Sequence, residues 1–314
     1  MRAVAVDRFR TPPRVMDLAD PELENQHVMV KVLAAGMNPV DWKLADGLYE
    51  KTTEAVFPFI LGVDAVGTVM KAASDSSRFN PGDRIFGEFF SHPSGRGTYA
   101  EYISVAESVA AAVPAALDDV VAAALPTAGM TALGMVDSLD LKPGSKILIV
   151  GATGAVGRYA TQLATLRGFT VLATASAEAS AEMLSLGAAE TFDHHAGDLA
   201  AQVSGAHHQG IDAVLDLVSS AQQFQTLAGL VSPGGYAFST IHAADPKRLR
   251  QVRIQGGNFA VKADPSQLRR LATLAIEGRL KVDIERIISL DAAPQAIATA
   301  KLGHSRGKTI IRMG

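Results

Sequence analysis

The stretch Lys146-Ile-Leu-Ile-Val150, running into Gly-Ala-Thr-Gly-Ala-Val-Gly157, constrains this chain more than any other. Its unbroken apolar run, ended by a glycine turn, reads as a strand buried on both faces. Such a strand needs helices on either side, and the sequence supplies them. "AVGRYATQLATLRG" reads as a helix stopped by Gly168, and strand "TVLATA", helix "AEASAEMLSLG" and short strand "AETFD" follow. Strand "IDAVLDLV", helix "SAQQFQTLAGL" and strand "GGYAFST" repeat the pattern. From Ser145 onward this alternation predicts a doubly wound parallel α/β sheet.

The glycine turn itself points to a dinucleotide. Its best frame is A-x-G-x-x-G, Ala152 to Gly157, with Gly151 free to make the tight turn. Gly154 lets backbone approach a pyrophosphate, and Gly157 lets the helix pack closely on the strand. The helix N-terminus offers unpaired N–H groups and a partial positive charge. Gly151, Ala152, Thr153, Gly154, Ala155, Val156 and Gly157 are therefore expected cofactor contacts. An NAD site places Asp or Glu about 20 residues on, against the ribose 2′-hydroxyl. Here that strand end carries Ala173, Thr174, Ala175 and Ser176, which permits a 2′-phosphate and hence NADPH. No Lys or Arg lies in that loop, so Ser176, His194 and Arg306 are the candidate partners at the 2′ end.

The first 115 residues have a different texture. "RAVAV", "HVMVKVLAAG", "GVDAVGTVMKA", "PGDRIFG" and "GTYAEYISV" are short strand-like runs separated by turns, which predicts a partly open barrel. The following "DDVVAAALPTAGMTALGMVDSL" has helical spacing, with Asp118 or Asp119 as N-cap. The tail reads as two helices, "PSQLRRLATLAIEGR" and "DAAPQAIATAKLG", and a closing strand "KTIIRM".

Composition excludes several functions. A net charge of -3 gives no basic footprint for nucleic acid. Zero cysteines remove thiolate zinc sites, iron–sulfur clusters and cysteine nucleophiles. The adjacent pairs His194–His195 and His207–His208 point apart on a strand or helix and make poor metal pairs, so no metal is expected. The start "MRAVAVDRFRTPPR" has no apolar signal region, and the run Val120 to Val136 is broken by Pro126, Gly129 and Gly134. The expectation is a cytoplasmic protein without a membrane span.

In register, "AAGMNPVDWKLADG", "PFILGVDAVGTV", "PGDRIFG", "GTYAEY", "LPTAGMTAL", "GATGAVGRYATQLA" and "GFTVLATAS" resemble the zinc-free branch of the medium-chain dehydrogenase/reductase superfamily. That branch includes quinone oxidoreductases, zeta-crystallin and alkenal or enone reductases. The resemblance implies a GroES-like catalytic domain over 1–115, a Rossmann NADP-binding domain over 116–260 and a segment 261–314 returning to the first. Zinc-dependent members use Cys and a Gly-His-Glu segment; the equivalent here is Gly62-Val63-Asp64. The implied reaction is hydride transfer from NADPH to a quinone. Alternatives are an α,β-unsaturated carbonyl as acceptor, or an NADPH-binding structural or sensing protein of low activity.

The same resemblance places Asn38 of "NPVD" beside nicotinamide and acceptor, its amide a donor for the developing enolate or hydroquinone oxygen. The other reading of Asn38 is a turn former before Pro39. Lys43 polarises the carbonyl or lies on the surface; Tyr49 lines the substrate cleft or is a packing aromatic, with Trp42 a further pocket wall. Thr131, Ser239, Thr240, Asn258 and Phe259 are implied contacts around the cofactor. Homodimers through the nucleotide domains are expected, with "YAFST" and "RIQGGNFAV" as pairing edges.

Overall fold

The computed structural model describes residues 1–51, 54–74, 77–89, 95–303 and 307–314. The chain begins with strands β1 (Arg2–Val6), β2 (Arg14–Asp17) and β3 (His27–Gly36), helix α1 (Pro39–Ala45), and strands β4 (Phe59–Ile60), β5 (Asp64–Ala72), β6 (Arg84–Glu88), β7 (Tyr102–Ala106) and β8 (Ala111–Ala112). Helices α2 (Asp119–Ala124) and α3 (Pro126–Asp137) follow. Next come β9 (Lys146–Val150), α4 (Ala155–Leu166), β10 (Thr170–Thr174), α5 (Ala177–Ser185), β11 (Glu190–Phe192) and α6 (Leu199–Ala206). Then β12 (Ile211–Asp216), α7 (Ala221–Ala228), β13 (Val231–Ser239), α8 (Pro246–Gln251) and β14 (Gln255–Asn258) complete the alternating region. The tail carries α9 (Pro265–Ile276), β15 (Ile284–Ser289), α10 (Ala293–Ala300) and β16 (Lys308–Arg312).

Contacts divide the chain into two compact units. One combines Met1–Met130 with Ala263–Gly314, and the other is Thr131–Lys262. The first unit extends past the expected limit at residue 115 because α2 packs on β3, β5 and β16. The predicted single helical stretch after Asp118 is in fact two helices. Asp118 caps α2 by accepting the N–H groups of Val120 and Val121, and Pro126 restarts the helix as α3.

The GroES-like unit holds a sheet in the order β15-β16-β3-β5-β6-β8, with β7 also on β3, and a smaller sheet β2-β1-β4. Alternation along β3 sends Val28, Val30 and Val32 into a core with Leu61, Tyr99, Ile103 and Ile311. Full burial of such side chains stabilises by about 1.5–3 kcal/mol each. The register matters for function. Gly36 at the end of β3 pairs with Asp64 of β5 on one side and Ile310 of β16 on the other. The residues just beyond Gly36 thus lie between two strands far apart in sequence.

The second unit is a six-stranded parallel sheet in the order β11-β10-β9-β12-β13-β14. This is the Rossmann order, with its switch point between β9 and β12. Ile147, Leu148 and Ile149 are fully buried, as a strand covered on both faces requires. β14 ends the strand order and forms one edge. Among the described residues, no helix is long and apolar enough to cross a membrane.

Candidate functional site

Asn38 lies two residues beyond the end of β3 and is the N-cap of α1, whose first residue Pro39 suits a helix start. It is only 3% exposed, and its neighbours come from both flanking strands. Its Nδ2 donates to Asp64 Oδ2 at 2.9 Å and to the Gly36 carbonyl at 3.3 Å, while its Oδ1 accepts from Lys308 Nζ at 2.8 Å. A carboxylate only accepts and an ammonium only donates, so these partners fix which amide atom points where. Both Asn38 amide hydrogens are thereby engaged within this unit.

Asp64 and Lys308 complete a buried ion cluster. Lys308, 2% exposed, also donates to the Met37 carbonyl at 2.9 Å and lies 3.4 Å from Asp64 Oδ2. Asp64, fully buried, further accepts from the Thr127 hydroxyl at 2.6 Å and the Thr127 N–H at 3.0 Å. That N–H belongs to the first turn of α3, where a negative charge is favoured. None of these partners of Asn38 was singled out as functional in the sequence. Strand register brings them together, and only the isolated Asp64 within Gly62-Val63-Asp64 carried any signal.

A second buried carboxylate adjoins them. Asp41 Oδ2 accepts the Asn38 N–H at 2.6 Å, which ties α1 back to its own cap, and it also accepts the Tyr99 hydroxyl. Asp41 Oδ1 is buried and has no hydrogen-bond partner. Burial, with some help from the charge of Asp64, pushes the Asp41 carboxyl up to about 7, against the lowering effect of Tyr99, Asn38 and Lys308. Burial and the same carboxyl push the Tyr99 phenol well above its ordinary value.

Lys43 and Tyr49 lie outside this buried cluster. Lys43 is exposed in the last turn of α1, and Tyr49 is 40% exposed in the turn beyond it. Trp42 packs half-buried against the core.

In the Rossmann unit the glycine turn has distinct residues for distinct tasks. Gly151 has φ +80°, which glycine adopts freely. A Cβ on Gly157 would sit 2.4 Å from Gly151 O and 2.5 Å from Ala152 Cα, so only glycine lets α4 approach β9 this closely. Gly154 is the N-cap of α4, and a Cβ there would meet nothing closer than Gly151 O at 3.5 Å. Ala152 turns its methyl into the interior and is fully buried, so the departure from glycine does not obstruct the turn. Ala155 and Val156 form the first turn of α4. A crevice of about 460 Å³ opens beside this turn, lined by Gly151, Thr153, Thr174, His194, Val218 and Gln222 among others. It lies at the C-terminal ends of β9 and β12, where doubly wound sheets hold their ligands.

At the strand end expected to carry an acid, Thr174 accepts the Gly151 N–H at 2.9 Å and so braces the turn. Ser176 caps α5 without a side-chain bond to it. A carboxylate nevertheless reaches this place from β11: Asp193 Oδ2 accepts the Ala177 N–H at 3.1 Å, and its Oδ1 accepts the His195 N–H at 2.9 Å. Asp193, His194 and His195 bring ligand-capable atoms within 4.8 Å of one another on the surface. Adjacency in the chain did not keep the two rings apart as expected, for their centroids are 3.9 Å from each other. Arg306 lies outside the described residues.

The residues expected near nicotinamide mostly shape the loop after β13. Ser239 Oγ accepts the N–H groups of Ile241 and Ala243. Asn258 clasps Ala244 through both backbone groups at 3.0 Å. Phe259 packs edge-on against Phe238, and its ring fills the space beside Gly134. Thr240 is half-buried at the C-terminal end of β13, and Thr131 is buried within α3.

Residues 24–115 match the alcohol dehydrogenase GroES-like domain family, and residues 186–311 match the zinc-binding dehydrogenase family. The chain is 30% identical to the quinone oxidoreductase from Coxiella burnetii, with a TM-score of 0.87 and 99% of each chain covered. It is 29% identical to a chloroplastic quinone oxidoreductase of Triphysaria versicolor, over 99% of this chain and 98% of the relative. It is also 29% identical to the 2-methylene-furan-3-one reductase of Solanum lycopersicum, over 94% of this chain and 74% of the relative.

Proposed function

Because the chain belongs to the medium-chain dehydrogenase/reductase superfamily, in its quinone oxidoreductase-like branch, we propose that it reduces quinones with hydride from NADPH, without a metal. The observation that carries this reading is the 460 Å³ crevice beside the glycine turn at the switch point of a Rossmann-ordered sheet. Backbone groups from Gly151 to Val156 would hold the pyrophosphate, with Ser176 and His194 toward the adenosine ribose and Ser239 and Thr240 toward the nicotinamide. When bound, the dinucleotide supplies the hydride. The chain's own part is to bind and orient. Lys43 and Tyr49 are proposed as groups facing the acceptor. Asn38 is proposed to fix the local backbone rather than to donate to the acceptor directly.

The donor set supports a metal-free reaction. Zinc requires three or four deprotonated nitrogen, sulfur or oxygen ligands. Around Asn38 the amide is committed to Asp64, Gly36 and Lys308, and Asp64 is already occupied by Thr127 and Asn38. Lys308 supplies the positive charge there, and the chain has no cysteine. These residues do not fit a zinc ion.

An enone acceptor is the second reading, favoured by the likeness to the 2-methylene-furan-3-one reductase. A homodimer pairing through the β14 edge belongs to the same proposal, supported by the position of β14 at the end of the sheet. The test is to titrate the protein with NADPH and follow its oxidation against a panel of quinones and enones. Turnover of quinones above enones supports the first reading. Binding without turnover of any acceptor overturns both.

A further inference from the structure

The acid missing from the end of β10 is present in space. The dinucleotide fingerprint expects a carboxylate about 20 residues after the glycine turn, where it bonds the ribose 2′-hydroxyl. The chain has Thr174, Ala175 and Ser176 there, yet the carboxylate of Asp193 lies against Ala177 N–H, the first amide of α5. It arrives from β11, whose residues Glu190 to Phe192 pair in parallel with Leu172 to Thr174 of β10. Two backbone bonds, from His195 and Ala177, fix its direction. The same bonds, with the neighbouring imidazoles adding a smaller effect, hold its carboxyl below the usual range, so it is ionised at neutral pH.

The cations that a 2′-phosphate requires are scarce here. Between Arg167 and Lys247 the sequence contains no lysine or arginine, which covers every element from β10 to β13. The first turn of α5 adds Glu178 to the negative side. His194, on the crevice wall, and His195 are the basic groups beside Asp193.

We propose that Asp193 is a specificity-determining residue of the dinucleotide site: its carboxylate reads the 2′ position of the adenosine ribose and limits affinity for the 2′-phosphorylated cofactor. This rests on the reading of the crevice as a dinucleotide site. A carboxylate accepts a hydrogen bond from a 2′-hydroxyl and repels a phosphate dianion at the same place. Asp193 thereby holds NADPH affinity near that of NADH, instead of allowing the NADPH preference that the acid-free end of β10 permits.

The test compares dissociation constants of NADPH and NADH for the full chain and for Asp193→Asn, both in excess chelator so that no metal joins the Asp193–His194–His195 trio. The amide keeps an acceptor for the Ala177 or His195 N–H while removing the charge. The ratio of NADPH to NADH affinity is expected to rise about tenfold in the variant, mostly through tighter NADPH. Asp193→Ser, which keeps a shorter acceptor, should shift the ratio in the same direction and guards against misfolding of the first variant. 2′-Phosphoadenosine 5′-diphosphate and ADP, which lack the nicotinamide half, should reproduce the shift. An unchanged ratio, or equal loss of both cofactors in both variants, overturns the role of Asp193 while leaving the dinucleotide site intact. Failure of the unmodified protein to bind either cofactor overturns both.

Discussion

Lys308 donates its ammonium to the side-chain oxygen of Asn38 at 2.8 Å, across 270 positions of sequence. The last strand of the chain therefore completes the polar cluster begun by the third. Three buried ionisable groups, Asp41, Asp64 and Lys308, meet there, and their hydrogen bonds decide how much of that burial is tolerated.

Replacing Lys308 with Met is expected to destabilise the GroES-like unit by about 3–5 kcal/mol, since it leaves Asp64 buried without a cation. Chemical denaturation measures this. A loss under about 1 kcal/mol would contradict the ion cluster.

Asn38→Ala is expected to lower turnover at least tenfold while leaving dinucleotide affinity within about twofold, because the crevice proposed to hold the dinucleotide is lined by residues of the other unit. Parallel binding titrations and steady-state rates separate the two. Equal losses in both would make Asn38 a cofactor ligand.

Asp41 gives the fold a defined pH response. Burial pushes its carboxyl up to about 7 in the folded state, against an ordinary value of 3.8. Between these values the folded chain holds a proton that the unfolded chain has lost. Stability is highest below the lower value, declines as pH rises through the window and levels off above about 7, with a total span of about 4 kcal/mol. Asp41→Asn should flatten that decline. A variant whose stability follows the same slope between about pH 5 and pH 8 would show that Asp41 is not the titrating group.

The glycine turn separates folding from binding. Gly157→Ala forces a methyl to within 2.4 Å of Gly151 O and should cost several kcal/mol of stability or prevent folding. Gly154→Ala makes only an ordinary contact, with Gly151 O at 3.5 Å, and should fold normally, but it should weaken dinucleotide binding at least tenfold by standing where backbone must approach a pyrophosphate. Melting curves and cofactor titrations distinguish these outcomes; equal behaviour of the two variants contradicts the assigned tasks.

Much of the fold was legible because its signals are local. The apolar run at Ile147, the glycine at 157 and the helix stops at Gly168 and Gly187 each act within a few residues. The charged partners of Asn38 were not legible, because Asp64 and Lys308 reach it only through the registers of β5 and β16 against β3. Asp193 escaped for a similar reason: the fingerprint looks for an acid on the second strand, and this chain supplies one from the third. Ser239 and Asn258 were visible as residues near the loop after β13, but their bonds to Ile241, Ala243 and Ala244 could be found only in three dimensions.

Metal-independent reduction is tested most directly by one assay. Protein dialysed against a strong chelator is mixed with NADPH and a quinone, and loss of the reduced cofactor is followed before and after adding zinc. Undiminished quinone reduction in the chelated protein, unchanged by zinc and accompanied by no oxidation of simple alcohols, is the expected result. Activity that appears only after zinc is restored would contradict it.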